Sequence, residues 1–186
     1  QQKGLEIIRY IAEKVVEFSL ADGIEYTLEQ TPAESTAYRF ALLDRKKYGA
    51  SANVQGTEDA PYYTNSTHVP YNSDISLVER INIESEFHPY FTGGTICHIW
   101  IGESTPDPIG LSRFIQRIAG TKLAYFCLSP DFSVCTNGHT TRGKVQKCSL
   151  CGEDVIDHIS RVTGYYGHVS NWNPGKRMEY EQRHRY

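Results

Sequence analysis

Arg161-Val162-Thr163-Gly164-Tyr165-Tyr166-Gly167, followed at once by Asn171-Trp172-Asn173-Pro174-Gly175-Lys176-Arg177, is the stretch from which the rest of the chain is read. A glycine set among β-branched and aromatic residues has two readings. It is a turn residue that needs a positive φ, or it is a backbone position that can lose a Cα hydrogen. In the second case the unpaired electron spreads between the flanking amide nitrogen and carbonyl, and no Cβ crowds the flattened centre. Such a radical needs shelter from water and oxygen, which Val162, Tyr165 and Tyr166 are expected to supply. Gly167 is the rival position.

Working outward, the segment just upstream carries Cys135-Thr-Asn-Gly-His139 and Cys148-Ser-Leu-Cys151-Gly152. Two knuckles joined by a short polar hairpin place four soft or borderline ligands tetrahedrally around Zn²⁺. The alternative is a Cys148/Cys151 redox pair with His139 as an exposed turn residue. All four groups fall within the run 135–151 and no second acceptor set competes. Four protein ligands would leave no open position, so the metal would be structural.

Further upstream the chain alternates helix and strand patterns. Residues 5–20 place Leu5, Ile8, Ile11, Val15 and Phe18 at helical spacing, with Gly23 as the stop. Residues 24–28 alternate as a strand would. A helix is expected from Thr31 to about Lys47, with Thr31 as N-cap, Pro32 in the first position and Glu34 closing a capping box. A polar loop with Tyr62-Tyr63-Thr64-Asn65-Ser66, a helix over 75–88 and a strand over 95–101 follow. A helix over 108–119 and a strand over 123–128 complete the pattern. Strands separated by helices imply parallel pairing, and so few strands cannot close a barrel alone.

The polar segments allow two roles each. Thr31, Ser35 and Thr36 can seat a phosphate at a helix N-terminus or simply cap it. Asn65 and Ser66 can line a substrate site or form a polar turn. The cationic Lys176, Arg177, Arg183 and Arg185 read as a solvated helix face. Cys97 and Cys127 lie in strand patterns, where free cysteine behaves as a small hydrophobe.

Composition bounds the class. The 186 residues are 39% hydrophobic and 22% charged, enough for one real core. A formal charge of −3 and a pI near 6.2 give no basic nucleic-acid surface. No apolar run approaches the roughly 20 residues that cross a bilayer, and no signal-peptide pattern is seen, so a cytoplasmic setting is expected. The chain begins Gln1-Gln2-Lys3 and its only methionine is Met178, which reads as a processed piece, a fragment or a trimmed chain.

The order of zinc knuckles, Arg-Val-Thr-Gly-Tyr-Tyr-Gly and Asn-Trp-Asn-Pro-Gly-Lys-Arg resembles the C-terminal end of the anaerobic (class III) ribonucleoside-triphosphate reductases. The likeness extends through Gln30-Thr-Pro-Ala-Glu-Ser35, Arg39, Asp44, Pro61-Tyr-Tyr-Thr-Asn-Ser66, Gly93-Gly94-Thr95 and His98. It implies an α/β fold: the C-terminal portion of a ten-stranded barrel over 1–130, a zinc-binding segment over 131–155, and a glycyl-radical loop and tail over 156–186. It implies that Gly164 stores the radical and that a radical-SAM activase installs it. Cys135, Cys148 and Cys151 match the family's zinc positions. The first knuckle departs from the pattern, because Gly138 stands where many members have cysteine or histidine and His139 lies one place later. Substrates would be ribonucleoside triphosphates, with Thr31, Ser35, Thr36, Asn65 and Ser66 toward the substrate. The thiyl-bearing cysteine and the allosteric region would belong to the remainder of a homodimeric reductase. The electron donor, formate or a thiol protein, stays open. The competing readings are a zinc-ribbon interaction module and an exchangeable glycyl-radical subunit.

Overall fold

A computed structural model describes residues 1–102, 105–162 and 164–186; Thr163, the motif residue before Gly164, lies outside the described residues. Helix α1 spans Gln2–Asp22 and stops where Gly23 turns left-handed at φ 66°, a conformation glycine adopts with no Cβ penalty. None of its residues is buried, and Ile7, Tyr10, Val16, Phe18 and Leu20 stand exposed. The expected strand over 24–28 does not form. Its chain turns back on α1, where Ser19 Oγ accepts the Tyr26 N–H at 3.0 Å, and pairing is confined to one parallel bridge between Glu29 and Gly94.

Helix α2 spans Glu34–Tyr48 with Ala33 at its N-cap and no side-chain cap bond. The expected Thr31 cap is therefore corrected. Thr31 is held away by the neighbouring loop: its carbonyl accepts from Ser66 Oγ at 3.1 Å, while Gln30 Nε2 donates to Thr67 Oγ1 at 2.7 Å. A short hairpin of β1 (Gln55–Gly56) and β2 (Pro61–Tyr62) precedes α3, Leu77–Ser85. Ser76 and Glu79 form a reciprocal capping box at the start of α3, and a 3₁₀ turn at His88–Tyr90 takes up the end of the region expected to be helical.

Strand β3 (Cys97–Ile101), helix α4 (Pro108–Ala119) and strand β4 (Phe126–Pro130) make a βαβ unit. Pairing is parallel, with Cys97 opposite Phe126 and Ile101 opposite Pro130. Asp107 caps α4 and Pro108 opens it. Ile81, Cys97, Ile99 and Ile118 form the core here, with Leu77, Phe114, Leu123 and Leu128 packed on it. Leu123 therefore contributes to packing before the strand begins, which moves the expected strand three residues along. This parallel pair is the share of an α/β sheet found among the described residues; they close no barrel.

After Asp131 the fold changes to an antiparallel sheet in the order β6-β5-β7-β8. Its strands are β5 Phe132–Cys135, β6 Thr140–Arg142, β7 Val155–Arg161 and β8 Tyr166–His168. Helix α5, Pro174–Gln182, follows with Asn173 as cap. Val162, Val169, Trp172 and Tyr180 form a second core cluster at this end.

The tail is not the solvated cationic face its sequence implies. Arg177 is exposed, but Lys176 and Arg183 are buried and Arg185 is half-buried. Glu179 lies between the first two, 2.9 Å from Lys176 Nζ and 2.9 Å from Arg183 Nη2. The Arg183 guanidinium sits 3.8 Å from the Trp100 ring centroid and donates to Ser160 Oγ at 3.1 Å. Helical spacing of i, i+3 and i+4 hides the arrangement, since the same spacing makes ordinary surface pairs. Burial alone would raise the Glu179 carboxyl, but the two cations overrule it and hold it below the usual range.

Removing one partner of a buried pair leaves a charge uncompensated. Glu179→Ala is therefore expected to destabilise the protein by about 3–5 kcal/mol. Glu181→Ala, which frees the partly exposed pair with Lys144, should cost about 1 kcal/mol or less. Urea unfolding of the two variants checks the contrast; equal losses would remove it. The depressed carboxyl contributes above its ordinary pKa, and that contribution is lost as pH falls through the lowered value.

Candidate functional site

Cys135 ends β5, and a tight turn brings His139 back beside it. The Gly138 N–H donates to Cys135 O at 2.9 Å, the Cys135 N–H donates to His139 O at 3.1 Å, and Gly138 takes φ 76°. The second knuckle closes in the same way, with Gly152 N–H donating to Cys148 O at 2.9 Å and φ 77° at Gly152. The four ligand atoms of Cys135, His139, Cys148 and Cys151 all lie within 4.8 Å of one another. Cys135 Sγ and Cys151 Sγ are 3.8 Å apart, and Cys148 Sγ is 3.9 Å from His139 Nδ1. A tetrahedron with Zn–S bonds of about 2.3 Å has an edge of roughly 3.8 Å. The donor set and its spacing thus fit a four-coordinate zinc.

This cluster is tied to the glycine segment through one sheet. Cys135 is opposite Val155, the first residue of β7, and β7 ends at Arg161, three residues before Gly164. The seven extended residues of β7 span about 20 Å from end to end, so a metal at one end can order the strand that leads to the glycine at the other.

Arg161 pairs with Tyr166 at the end of the antiparallel ladder between β7 and β8. Val162 N–H donates to Tyr165 O at 3.1 Å, and Arg161 Nη1 donates to Gly164 O at 2.7 Å. A Cβ built on Gly164 would meet nothing within 4 Å, so packing does not demand glycine at this position. The expected shelter is corrected. Val162 is buried, but Tyr165 is 66% exposed and Tyr166 37%, and Gly164 itself is exposed. Arg161 and Phe132 hold the Tyr166 ring instead, at 5.2 and 5.5 Å.

Gly164 borders a cavity of about 280 Å³. Thr31, Asn65 and Ser66 line it, brought together by the bonds between residues 30–31 and 66–67 described above. Ser35 does not; it lines a neighbouring cavity with Tyr165 and Gly167. Thr36 lines neither of these two. Two buried polar atoms on the first cavity's residues, Asn65 Oδ1 and His98 Nε2, have no partner among the described residues. Burial holds the His98 imidazole down to about 3, with His68 and Arg183 adding to the effect.

Sequence reasoning missed His68 and Lys176, which also line this cavity. His68 follows the Tyr62–Ser66 run by two residues, so its place there was the available signal. Lys176 gave none beyond the run of basic residues. Cys97 is fully buried, and burial pushes its thiol up, as a structural cysteine requires.

The chain matches the model of the family described as anaerobic ribonucleoside-triphosphate reductase over residues 1–186. It is 31% identical over 186 residues to the anaerobic ribonucleoside-triphosphate reductase of Enterobacteria phage T4, covering 95% of this chain and 30% of the relative. The Haemophilus influenzae enzyme of the same name is 27% identical over 195 residues, covering 98% and 27%. Among solved structures, an anaerobic ribonucleotide reductase superposes with a TM-score of 0.80 at 29% identity over 97% of this chain and 28% of the other. The Thermotoga maritima anaerobic ribonucleotide reductase with MES in the active site gives 0.74 at 29% over 90% and 26%. The chain therefore spans about a third or less of the relatives it matches. It has no helix long and apolar enough to cross a membrane among the described residues. With the match running through every residue, the chain belongs to the anaerobic ribonucleoside-triphosphate reductase family.

Proposed function

We propose that this chain is the C-terminal, radical-bearing part of an anaerobic ribonucleotide reductase. Gly164 stores the radical, and Cys135, His139, Cys148 and Cys151 hold a structural zinc. The observation that carries the reading is the place of Gly164: it sits where packing does not require glycine, on the wall of a cavity shared with Thr31, Asn65 and Ser66. A glycine that packing within this chain does not demand fits chemistry that only a side-chain-free Cα allows.

The residues then divide the work. Thr31, Asn65 and Ser66 orient a ribonucleoside triphosphate on the cavity side, while Ser35 and Thr36 lie at the uncapped N-terminus of α2, which suits an anion. The stored radical, once installed by a radical-SAM activase, supplies hydrogen abstraction through a cysteine of the remainder of the enzyme. That remainder, in cis or in trans, completes the barrel begun over 1–130 and covers the apolar positions of α1. Residues 131–155 brace the strand that carries the loop, and 156–186 present it. The complete enzyme works as a cytoplasmic homodimer in deoxyribonucleotide synthesis. An interaction module built on the knuckles alone is not favoured, since the likeness extends over 1–186.

Deoxyribonucleotide should form in the anaerobically activated, assembled reductase and not with this chain alone. Product from the chain alone would overturn the partial-enzyme reading and move catalysis to Cys97 or Cys127.

A further inference from the structure

The carbonyl of Gly164 has a charged partner. Arg161, the last residue of β7, donates from Nη1 to Gly164 O at 2.7 Å, the short end of the range for such a bond. The loop does not need this bond to close. The Val162 N–H already spans it to Tyr165 O at 3.1 Å, and the ladder from Ile159–His168 to Arg161–Tyr166 holds both of its ends. The guanidinium lies 5.2 Å from the centroid of the Tyr166 ring, within the range of a cation–π contact. Its Nε is buried and has no partner among the described residues. An arginine serving only the framework would direct its buried donor to an acceptor. Here the nitrogen with the short bond is the one that meets the glycine.

What that bond does depends on the state of the glycine. With its Cα hydrogen present, Gly164 O is an ordinary amide oxygen. Once the hydrogen is gone, the unpaired electron is shared: the amide nitrogen of Gly164 pushes density toward Cα, and the carbonyl draws it away. The contributing form with negative charge on the carbonyl oxygen gains weight, so the oxygen becomes a stronger acceptor. A guanidinium keeps its charge in proteins, and a hydrogen bond from a charged donor is about twice as strong as a neutral one. A cation already set on that oxygen therefore stabilises the radical more than the resting glycine, as any preorganised donor favours charge that develops later. The bond also restrains rotation of the carbonyl, which must stay coplanar with the Cα centre for the spin to be shared.

We propose that Arg161 is a positioning residue for the stored radical: through its bond to the Gly164 carbonyl it draws spin away from Cα and lengthens the life of the radical; this rests on the reductase reading above. Arg161 makes and breaks no covalent bond, and it gives up neither a proton nor an electron. It supplies stabilisation from within a loop whose tyrosines, Tyr165 and Tyr166, stand exposed. The role is one that the Arg-Val-Thr-Gly spacing permits, since three residues on from the strand end bring the glycine carbonyl within reach of the side chain.

The test uses the assembled, anaerobically activated reductase and reads each radical that forms, so that a change in the efficiency of activation does not enter. In electron paramagnetic resonance the splitting by the remaining Cα hydrogen measures the spin left on Cα. Arg161→Met, which removes the charge and keeps the length, should widen that splitting. Its radical should also decay about tenfold faster in the absence of oxygen, the change that losing one hydrogen bond from a charged group amounts to. Arg161→Lys, which restores a cationic donor, should bring both back toward wild type. Tyr166→Leu removes the ring beside the guanidinium and leaves the carbonyl bond, so its splitting should match wild type; a merely loosened loop would widen it as well. An Arg161→Met doublet with the wild-type splitting overturns the inference, as does equal widening in Tyr166→Leu. No doublet in either Arg161 variant overturns it too, since Arg161 would then serve to install the radical and not to keep it. A wild-type enzyme that gives no doublet overturns the underlying reading instead, and is recognised because it fails with Arg161 in place.

Discussion

Activation of the assembled reductase is expected to produce a doublet in electron paramagnetic resonance that Gly164→Ala abolishes and Gly167→Ala leaves in place. The doublet follows from one remaining Cα hydrogen splitting the unpaired spin in two. Alanine has no such hydrogen left after abstraction, and its methyl group crowds the planar centre. Deoxyribonucleotide formation should fall to background with the signal. The comparison is clean because neither substitution clashes. A Cβ at Gly164 meets nothing within 4 Å, and one at Gly167 meets Trp172 Nε1 at 3.4 Å, an ordinary contact. Within this chain, then, loss of activity in Gly164→Ala does not come from a clash in the loop, and unchanged zinc content and assembly of the variant check the rest. Exposure of the activated enzyme to air should cut the backbone at residue 164 and release Tyr165–Tyr186, located by mass spectrometry. An intact chain after oxygen, or a doublet that survives Gly164→Ala, would sink the assignment. The exposure of Gly164, Tyr165 and Tyr166 in this chain places the burden of shielding on the remainder of the enzyme.

Zinc removal should have the next largest effect. Elemental analysis is expected to find one zinc per chain and none after Cys148→Ser with Cys151→Ser. Structural zinc sites supply an apparent 10–16 kcal/mol near neutral pH, far more than the turns of the knuckles provide. Loss of metal should therefore release the β5–β6 turn and the first residues of β7, seen as faster hydrogen exchange at Cys135, Cys148 and Val155, whose amides are bonded in the closed site. The hairpin at Gly164 lies at the far end of the same strand, so radical yield should drop with it. His139→Ala isolates the fourth ligand, with Nδ1 the donor nearest Cys148. Full zinc retention in the double cysteine variant would contradict the site.

The helix α4 was legible to the residue, because Asp107, Pro108 and the apolar spacing of 111–118 are all local signals. Parallel pairing of β3 and β4 followed from the intervening helix. The strand over 24–28 was misread because alternation says nothing about whether a partner strand is present; here Ser19 takes the Tyr26 amide instead. The capping pattern at Thr31 failed for a related reason, since a loop 35 residues away captured the Thr31 carbonyl.

What the sequence determined alone is what short-range geometry determines. Cys135, His139, Cys148 and Cys151 converge because two glycine-closed knuckles within one hairpin leave their side chains nowhere else to go. Only the tertiary structure decided that Lys176, Glu179 and Arg183 are buried, since their spacing is equally that of a wet surface until Trp100 is packed across the guanidinium. The cavity is likewise tertiary. Thr31, the turn that carries Asn65 and His68, His98 and Gly164 come from four separate segments, and nothing in any of them specifies the others. Their meeting depends on the register of β3 with β4, on β7 carrying the glycine hairpin back over the core, and on Glu84 turning His68 toward the cavity.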